Sequence, residues 1–453
     1  MKRKTQTGEH KKISNTFFVW FLSFLALTAI EVFLLAAISL IPRSAIASHT
    51  QESADYFMQK HVFYRIHDTN PASQIDHYAD AILLNILYHF DSNHPILSSL
   101  SASYYYTDTH NENENLLTAV TSDVTPTYNY FRYWHGSTVL VRPLLTVLNI
   151  RQIYILFAVV LTGLFALLFT LLLRFRKTFC AWSFVLALCS VSFWYIPMSL
   201  EYIWCFLIML LTGICVLLLY QKNQRVSGLF FLLVGNITAY FDFLTTETLT
   251  LIFPLALLLI LMYDNHQIQS AKEGFVFIAG RSFCWGLGYL SSWIAKWLLT
   301  SIALGRNVFP EAISSASIRV NEEIGEIHGA SQAFSAVARN ISCLFPFNLA
   351  KSYSYAFAVC SFIVLLMVYY LFRKIEKKKY MPMLFSALFV LPYLRFLTLA
   401  NHSFLHYFFT YRAQFASIFC LCMIFYYGID WKLVAKKLPK KLRFIAGSRN
   451  PSH

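Results

Sequence analysis

The segment IRQIYILFAVVLTGLFALLFTLLLRFRK at 150–177 decides the class of fold. Its residues 151–173 are predominantly apolar, and a helix of that length can cross the hydrocarbon core of a bilayer. Three basic residues, Arg174, Arg176 and Lys177, follow directly, which is typical of a helix that ends at the cytoplasmic face. The segment therefore predicts a transmembrane helix whose C-terminal end lies in the cytoplasm.

The composition of the 453 residues extends this prediction to the whole chain. Apolar residues make up 57% of it and charged residues only 13%, whereas soluble domains are usually about 45–50% apolar and about 25% charged. This balance excludes a soluble enzyme. The net charge of +14 could suggest nucleic acid as a partner, but basic loops at the cytoplasmic face of a membrane protein explain it better.

Ten predominantly apolar stretches are each about long enough to span a bilayer as a helix. They lie at about 16–42, 151–173, 179–198, 202–220, 227–245, 248–263, 276–300, 353–372, 381–400 and 412–429. The predicted fold class is therefore all-α, a polytopic membrane helix bundle of about 10 transmembrane helices. The first stretch is long enough for an uncleaved signal anchor, although Ala45, Ala47 and Ser48 leave a cleavage site open.

Basic residues predict the orientation. With both termini in the cytoplasm, the cytoplasmic loops and tails hold 24 of the 37 Lys and Arg residues, many of them in RKIEKKK at 373–379 and KKLPKKLR at 436–443. Every loop then obeys the positive-inside rule. The predicted protein is multi-pass in the cell membrane, surrounded by membrane lipids. Its parts are a basic tail (1–15), the first helix (16–42), a large extracytoplasmic loop (43–150), helices two to seven (151–300), a second extracytoplasmic loop (301–352), helices eight to ten (353–429) and a basic tail (430–453).

The first extracytoplasmic loop carries two helical patterns. Apolar residues from Ala79 to Phe90 recur at helical spacing and predict an amphipathic helix. The segment STVLVRPLLTVLN at 137–149 is too short to span, which predicts a helix at the membrane interface or dipping into the bundle. The second loop, with Arg306, Arg319 and NEEIGEIHG at 321–329, predicts a lid or an interfacial helix.

The cysteines give no indication of a metal or cofactor site. The nine cysteines contain no CxxC pair, so neither a disulfide framework nor a thiolate metal site is indicated. Eight of the nine lie in predicted spans and are interpreted as small packing residues. No metal and no cofactor is predicted.

Two carboxylates in IDHYADAILLN at 75–85 are the first candidates for chemistry. Asp76 and Asp80 are four residues apart, which places both on one helical face. Like charges held together raise the pKa of one of them, as a general acid or base requires. The alternative is a helix N-cap at Asp76 and a solvated acid at Asp80.

Candidate anion-binding residues follow in FRYWHGSTVLVRPLL at 131–145. Arg132, His135 and Arg142 lie where a lipid-linked phosphate would sit, and a guanidinium binds phosphate in a forked geometry. Simple contact with lipid headgroups is the alternative. The aromatic residues here are ordinary interfacial anchors.

Two connections between predicted spans carry further polar groups. In YFDFLTTETLTLIFP at 240–254, Asp242 is interpreted as functional or as a polar group of the bundle, because carboxylates at membrane depth usually face a wet cavity. In ANHSFLHYFFTYRAQ at 400–414, His402, His406 and Arg412 fit an anionic headgroup or pyrophosphate better than a metal. A polar interfacial turn is the alternative there. Glu201, between spans three and four, is interpreted only as marking the turn.

This layout resembles the GT-C glycosyltransferases, polytopic enzymes that use polyprenyl-phosphate-linked sugars. The shared features are a cytoplasmic N-terminus, an acidic pair in the first extracytoplasmic loop ahead of interfacial helices, and polar groups gathered on the outer face. The segments YFDFLTTETLT and NHSFLHYFFTYR also look like those of uncharacterised bacterial membrane proteins placed near this class. The chain lacks the strict acidic dipeptide of the class.

The resemblance implies a function and a set of roles. Asp76 or Asp80 would be the general base, Arg132, His135, His402, His406 and Arg412 would hold the donor phosphate, and Asp242 would contact substrate. The expected reaction moves a sugar from a polyprenyl-phosphate donor to a surface glycan, lipid or protein of the cell envelope. A polysaccharide polymerase or ligase is a close alternative, and a lipid-linked sugar transporter or a non-catalytic subunit belongs to a different class.

Overall fold

A computed structural model of the chain describes residues 2–437 except 110, 223, 225, 322–328, 345–350 and 374–379, and for 2–16, 321, 351–356 and 435 it describes the backbone alone. Most of the predicted basic runs at 373–379 and 436–443, and of the segment at 321–329, lie outside the described residues. The described part of the chain is 78% helical. The all-α prediction is therefore confirmed in outline.

Twenty helices form the described part of the fold. They are α1 (Lys2–Ser39), α2 (Arg43–Met58), α3 (His77–Tyr88), α4 (Pro95–Ser101), α5 (Glu112–Thr121), α6 (Thr138–Leu145), α7 (Ile150–Arg174), α8 (Thr178–Ser190), α9 (Leu200–Gln221), α10 (Gly228–Phe241), α11 (Thr248–Asp264), α12 (Ala271–Leu304), α13 (Phe309–Asn321), α14 (Gly329–Ser342), α15 (Lys351–Phe372), α16 (Tyr380–Thr398), α17 (Ala400–Leu405), α18 (Tyr407–Thr410), α19 (Gln414–Gly428) and α20 (Trp431–Lys437). Single 3-10 turns lie at Pro71–Ser73, Phe193–Met198 and Tyr411–Ala413.

Several of these helices can cross a membrane. Among the described residues, five segments are long and apolar enough to do so by length and composition: Phe17–Ser39, Ile150–Arg174, Leu200–Gln221, Tyr380–Thr398 and Tyr407–Gly428. Shorter apolar helices lie at Thr178–Ser190, Gly228–Phe241, Thr248–Asp264 and Phe357–Phe372. Large apolar side chains such as Phe33, Val159 and Phe283 are about 70% exposed on the outer faces. Lipid is the solvent that suits such surfaces.

The centre of the bundle is formed by α9 and α11. Every residue of α11 from Leu249 to Leu261 is buried. Beside them, α10 and α12 approach closely through two glycines, because a Cβ atom at Gly235 or Gly288 would collide with backbone atoms of the other helix. Small residues permit this close packing of helices in membranes.

The loop 43–150 folds into a cap of helices α2 to α6 with two small antiparallel sheets. Strand β1 (Phe63–Arg65) pairs with β2 (Gln74–Asp76), and β3 (Ser103–Tyr104) pairs with β4 (Tyr128–Asn129). The strands were not predicted, because two or three residues show no alternation. The predicted amphipathic helix is α3, and its apolar residues are buried against α2 and α5. The predicted interfacial element is α6, whose Arg142 is fully buried.

Candidate functional site

A cavity of about 470 Å³ lies between the cap and the bundle. Its walls come from the start of α3, the first turn of α9, the segment before α6, α13 and the segment around α17. Six of the eight predicted site residues line it: Asp76, Asp80, Arg132, His135, His402 and His406. Glu201, Arg319 and six tyrosines line it as well. The fold thus gathers polar groups that are more than 300 residues apart in the chain.

Asp76 lies where β2 ends and α3 begins. It is 3% exposed, and its Oδ1 accepts the Ala79 N–H at 2.9 Å, so it is the N-cap of α3. Its carboxyl group lines the same cavity as that of Glu201. Burial raises the pKa of Asp76 well above its usual value, and the hydrogen bond from the Ala79 N–H lowers it only in part. The N-cap alternative is therefore correct, but the capping group also faces the cavity.

Asp80 is one turn further along α3 and has a different set of partners. Its carboxylate accepts the Leu200 N–H at 2.9 Å, the Tyr154 hydroxyl at 2.5 Å and the Ser199 hydroxyl at 3.3 Å. It is 1% exposed, and burial raises its pKa to about 7. Asp80 thus ties the cap to the first turn of α9 and to α7. The alternative of a solvated acid at Asp80 is therefore wrong, because this group is a buried anchor.

Glu201 is the cavity acid that sequence reasoning missed. It follows Leu200 directly, so the anchor at Asp80 holds it in the lining of the same cavity as Asp76. Its Oε2 atom is buried and has no hydrogen-bond partner among the described residues. The available signal was its position: an acid at the predicted extracytoplasmic start of a predicted span, on the same predicted side as the acidic pair. Carboxylates at that depth usually face a wet cavity.

Two guanidinium groups supply the positive charge of the cavity. Arg132 packs over the Tyr130 ring at 4.3 Å, and Arg319 projects from α13 into the same lining. Among the described residues, no carboxylate lies within salt-bridge distance of either group. Both guanidinium groups line the cavity, and such a group binds anions in a forked geometry. Arg319 had been assigned only to a predicted lid or interfacial helix.

His135 is held in a fixed and uncharged state. Its backbone has a left-handed φ of 59°, and its Nε2–H donates to the Tyr130 carbonyl at 2.9 Å. Burial lowers its pKa to about 3, so the ring is neutral. The other ring nitrogen, Nδ1, is a buried acceptor without a partner among the described residues. A neutral acceptor suits a substrate hydroxyl better than the phosphate expected from the sequence.

The His402 and His406 rings lie 4.6 Å apart in the cavity wall. Burial lowers the pKa of both, that of His406 to about 3, and the nearby arginines lower it further. Arg395 holds this segment: its Nε donates to Glu247 at 2.9 Å and its Nη1 to the Ser403 hydroxyl at 2.8 Å. The three cavity histidines, His135, His402 and His406, are thus neutral polar groups.

Asp242 and Arg412 do not line the cavity. Asp242 closes a local turn, where its carboxylate accepts the Thr245 hydroxyl at 2.5 Å and the Cys205 thiol at 3.2 Å. Arg412 packs over the Tyr202 ring at 4.2 Å and donates to the Ala72 carbonyl at 3.3 Å. Both side chains therefore connect elements of the fold, whereas the sequence predicted substrate contacts for them.

Aromatic rings form one wall of the cavity. Tyr104 in β3 lies opposite Tyr128 in β4, and their rings contact each other at 5.7 Å. Tyr106 and Tyr130 extend the same cluster through edge contacts. With Tyr78 and Tyr133 these are the cavity tyrosines. The wall offers both apolar ring surface and hydroxyl groups, a combination that suits a sugar ring.

Comparison with known proteins identifies no relative. No protein-family model matches the chain, and neither the curated proteins nor the solved structures include a significant match. Within the part of the chain that the structure describes, no group of three or more His, Cys, Asp or Glu side chains could hold a metal ion. The resemblance to the GT-C class therefore stays a prediction.

Proposed function

We propose that the chain is a GT-C-like integral membrane glycosyltransferase of about ten spans. Both termini lie in the cytoplasm, and the cavity opens on the extracytoplasmic side, where a polyprenyl-phosphate-linked sugar is consumed. The observation that carries this proposal is the content of one cavity: the carboxyl groups of Asp76 and Glu201, two guanidinium groups without carboxylate partners among the described residues, and a wall of tyrosines. These are the groups that transfer from a phosphate leaving group requires.

Asp76 is the proposed general base. An acceptor hydroxyl gives its proton to the Asp76 carboxylate as its oxygen attacks the anomeric carbon of the donor sugar. The bond between that carbon and the phosphate oxygen breaks, and its electron pair leaves with the lipid phosphate. Asp80 is an unsuitable base because three donors already occupy its oxygens.

Arg132 and Arg319 are the proposed phosphate ligands. Negative charge grows on the leaving phosphate during the reaction, and fixed cations stabilise it without reorganisation. The cavity histidines are neutral and bind hydroxyl groups of donor or acceptor. The cavity tyrosines pack against sugar rings. Arg412 has no direct role in this scheme because it lies outside the cavity.

The experiment compares two carboxyl-to-amide substitutions. Purified protein in lipid nanodiscs is given labelled polyprenyl-phosphate sugars and an acceptor extract of cell envelope, and release of polyprenyl phosphate is measured. We expect Asp76→Asn to lower turnover at least about 100-fold, the usual effect of losing a general base. Asn is as good an N-cap as Asp, so α3 should remain intact.

The matched control is Glu31→Gln, which alters a buried carboxyl group of α1 outside the cavity. It should transfer sugar at the wild-type rate. If Asp76→Asn transfers sugar at the wild-type rate, Asp76 is not the general base. Failure of the wild-type protein to use any donor class, with folding verified, would refute the transferase proposal itself.

A further inference from the structure

The C-terminal part of α12 lies against the wall of the cavity. The Trp134 indole N–H, two residues after Arg132, donates to the Ser292 carbonyl at 3.0 Å. One turn further along α12, the Lys296 ammonium group donates to the Leu100 carbonyl near the end of α4 at 2.7 Å. The chain continues from α4 into β3 and from Trp134 into α6. This part of α12 therefore holds two segments that supply the cavity wall.

Trp297 contacts both segments that carry the cavity arginines. Its indole N–H donates to the Arg132 carbonyl at 3.1 Å. Its ring meets that of Phe309, the first residue of α13, edge-on with 5.9 Å between the ring centroids. Arg319 extends from the same helix into the cavity lining. Trp297 itself lies outside that lining, so any effect it has on a bound phosphate passes through these neighbours.

A small apolar cluster joins the two segments. Phe131, Val308 and Ala312 are buried together, and Trp297 and Leu304 pack against them. Phe131 belongs to the segment before α6, whereas Val308 and Ala312 lie at the start of α13. Close-packed side chains transmit displacements to their neighbours. A shift of one segment should therefore displace the other.

The relative position of the two guanidinium groups determines how well they bind one phosphate. A guanidinium group binds phosphate through N–H groups in a fixed fork, so its affinity depends on its orientation. Arg132 and Arg319 come from segments that are far apart in the sequence, and Trp297 contacts both segments. We propose that Trp297 is a positioning residue that fixes Arg132 relative to Arg319 for binding of the donor phosphate, which deepens the proposed function and rests on it.

Trp293 provides a matched control one turn earlier on α12. It is half-buried like Trp297, but its indole N–H has no hydrogen-bond partner among the described residues. Substitution by Phe at either position removes an N–H group and keeps an aromatic ring. Trp residues that only anchor a protein at the membrane surface would lose about the same at both positions. A larger effect at Trp297 therefore reports on its hydrogen bond to the Arg132 carbonyl.

The first measurement is the binding of polyprenyl phosphate to full-length protein in nanodiscs. Loss of one hydrogen bond changes an equilibrium constant by about 3- to 10-fold. Trp297→Phe should raise the Kd by about that factor, and Trp293→Phe should leave it unchanged. In an Arg132→Gln background Trp297→Phe should have no further effect, because no guanidinium group remains for the lost bond to position. An equal rise in both backgrounds, or at both tryptophans, would overturn the proposal.

Hydrogen exchange followed by mass spectrometry supplies a readout that needs no substrate. The Tyr130 and Gly136 N–H groups, on either side of Arg132, donate to carbonyl groups of neighbouring segments. Trp297→Phe should speed their exchange by about 3- to 10-fold, because the segment opens more often, and Trp293→Phe should not. Unchanged exchange in Trp297→Phe would overturn the positioning role. If the wild type neither binds polyprenyl phosphate nor transfers sugar, the proposed function fails, and the exchange rates still decide whether Trp297 fixes this segment.

Discussion

We expect the hydrogen bond between Tyr154 and Asp80 to be a main stabilising contact between the cap and the bundle. It joins α7 to α3 at 2.5 Å, and Asp80 also receives the Leu200 N–H at 2.9 Å. Hydrogen bonds to charged groups contribute about 1.5–3 kcal/mol each, and an orphaned buried donor costs about 1–3 kcal/mol. We therefore expect Asp80→Asn to lower the free energy of unfolding by about 2–4 kcal/mol, and Tyr154→Phe by about 1.5–3 kcal/mol.

A double-mutant cycle isolates this bond. The double variant should be little worse than Asp80→Asn alone, giving a coupling energy of about 1.5–3 kcal/mol between the two positions. The free energy of unfolding is measured by SDS titration in mixed micelles. Tyr240→Phe provides a matched control, because its hydroxyl donates to the Glu31 carbonyl instead. Its cycle with Asp80→Asn should be additive within about 0.5 kcal/mol. If the effects of Tyr154→Phe and Asp80→Asn are also additive, the hydrogen bond between Tyr154 and Asp80 does not stabilise the contact between the cap and the bundle.

Three further predictions concern the packing of α10 against α12, the segment that carries His402 and His406, and the dependence of stability on pH. Gly288→Ala should destabilise the α10–α12 contact by about 1–3 kcal/mol, because the added Cβ collides with backbone atoms of α10. Gly286→Ala has open space around it and should be neutral or up to about 1 kcal/mol stabilising. Unfolding in mixed micelles measures both effects. Arg395→Lys should lower turnover and thermal stability together, because Lys cannot bind the Glu247 carboxylate and the Ser403 hydroxyl at once. Unchanged thermal stability and turnover would contradict this. His406 has its pKa lowered from 6.5 to about 3, so the stability it contributes is complete above pH 6.5 and is lost as the pH falls toward 3. His406→Gln should therefore flatten the loss of thermal stability between pH 6.5 and 4, and an unchanged slope would count against a buried neutral ring.

The helices could be predicted from the sequence because their signals are local. Apolar runs of about 20 residues reflect the thickness of a bilayer, and each predicted run coincides with a helix in the structure. The recurrence from Ala79 to Phe90 similarly predicts α3, since one face must be buried. The paired strands left no such trace. Two or three residues are too short for alternation, and the partners in the β3–β4 pair are more than twenty residues apart.

The composition of the site was predictable only in part because side-chain partners are set by distant contacts. His402 and His406 reach the cavity, but Arg412, six residues later, is taken by the carbonyl of Ala72, 340 residues away. Asp242 lies outside the cavity for the opposite reason, because its partner Thr245 is only three residues away and completes a local turn. A polar residue at membrane depth indicates that some partner exists. It does not indicate whether that partner is substrate or protein.

The spacing of Asp76 and Asp80 shows how far such a pattern can be taken. Four residues on a helix place two side chains on one face only if both residues are helical. Asp76 is the N-cap and lies outside the helix, so its carboxylate turns back to the Ala79 N–H while that of Asp80 reaches α9. The further acid of the cavity lining is Glu201, and Asp80 holds the turn that carries it. An acidic pair close in sequence can therefore supply one cavity carboxyl group and one anchor, and a further cavity acid comes from the helix that the anchor holds.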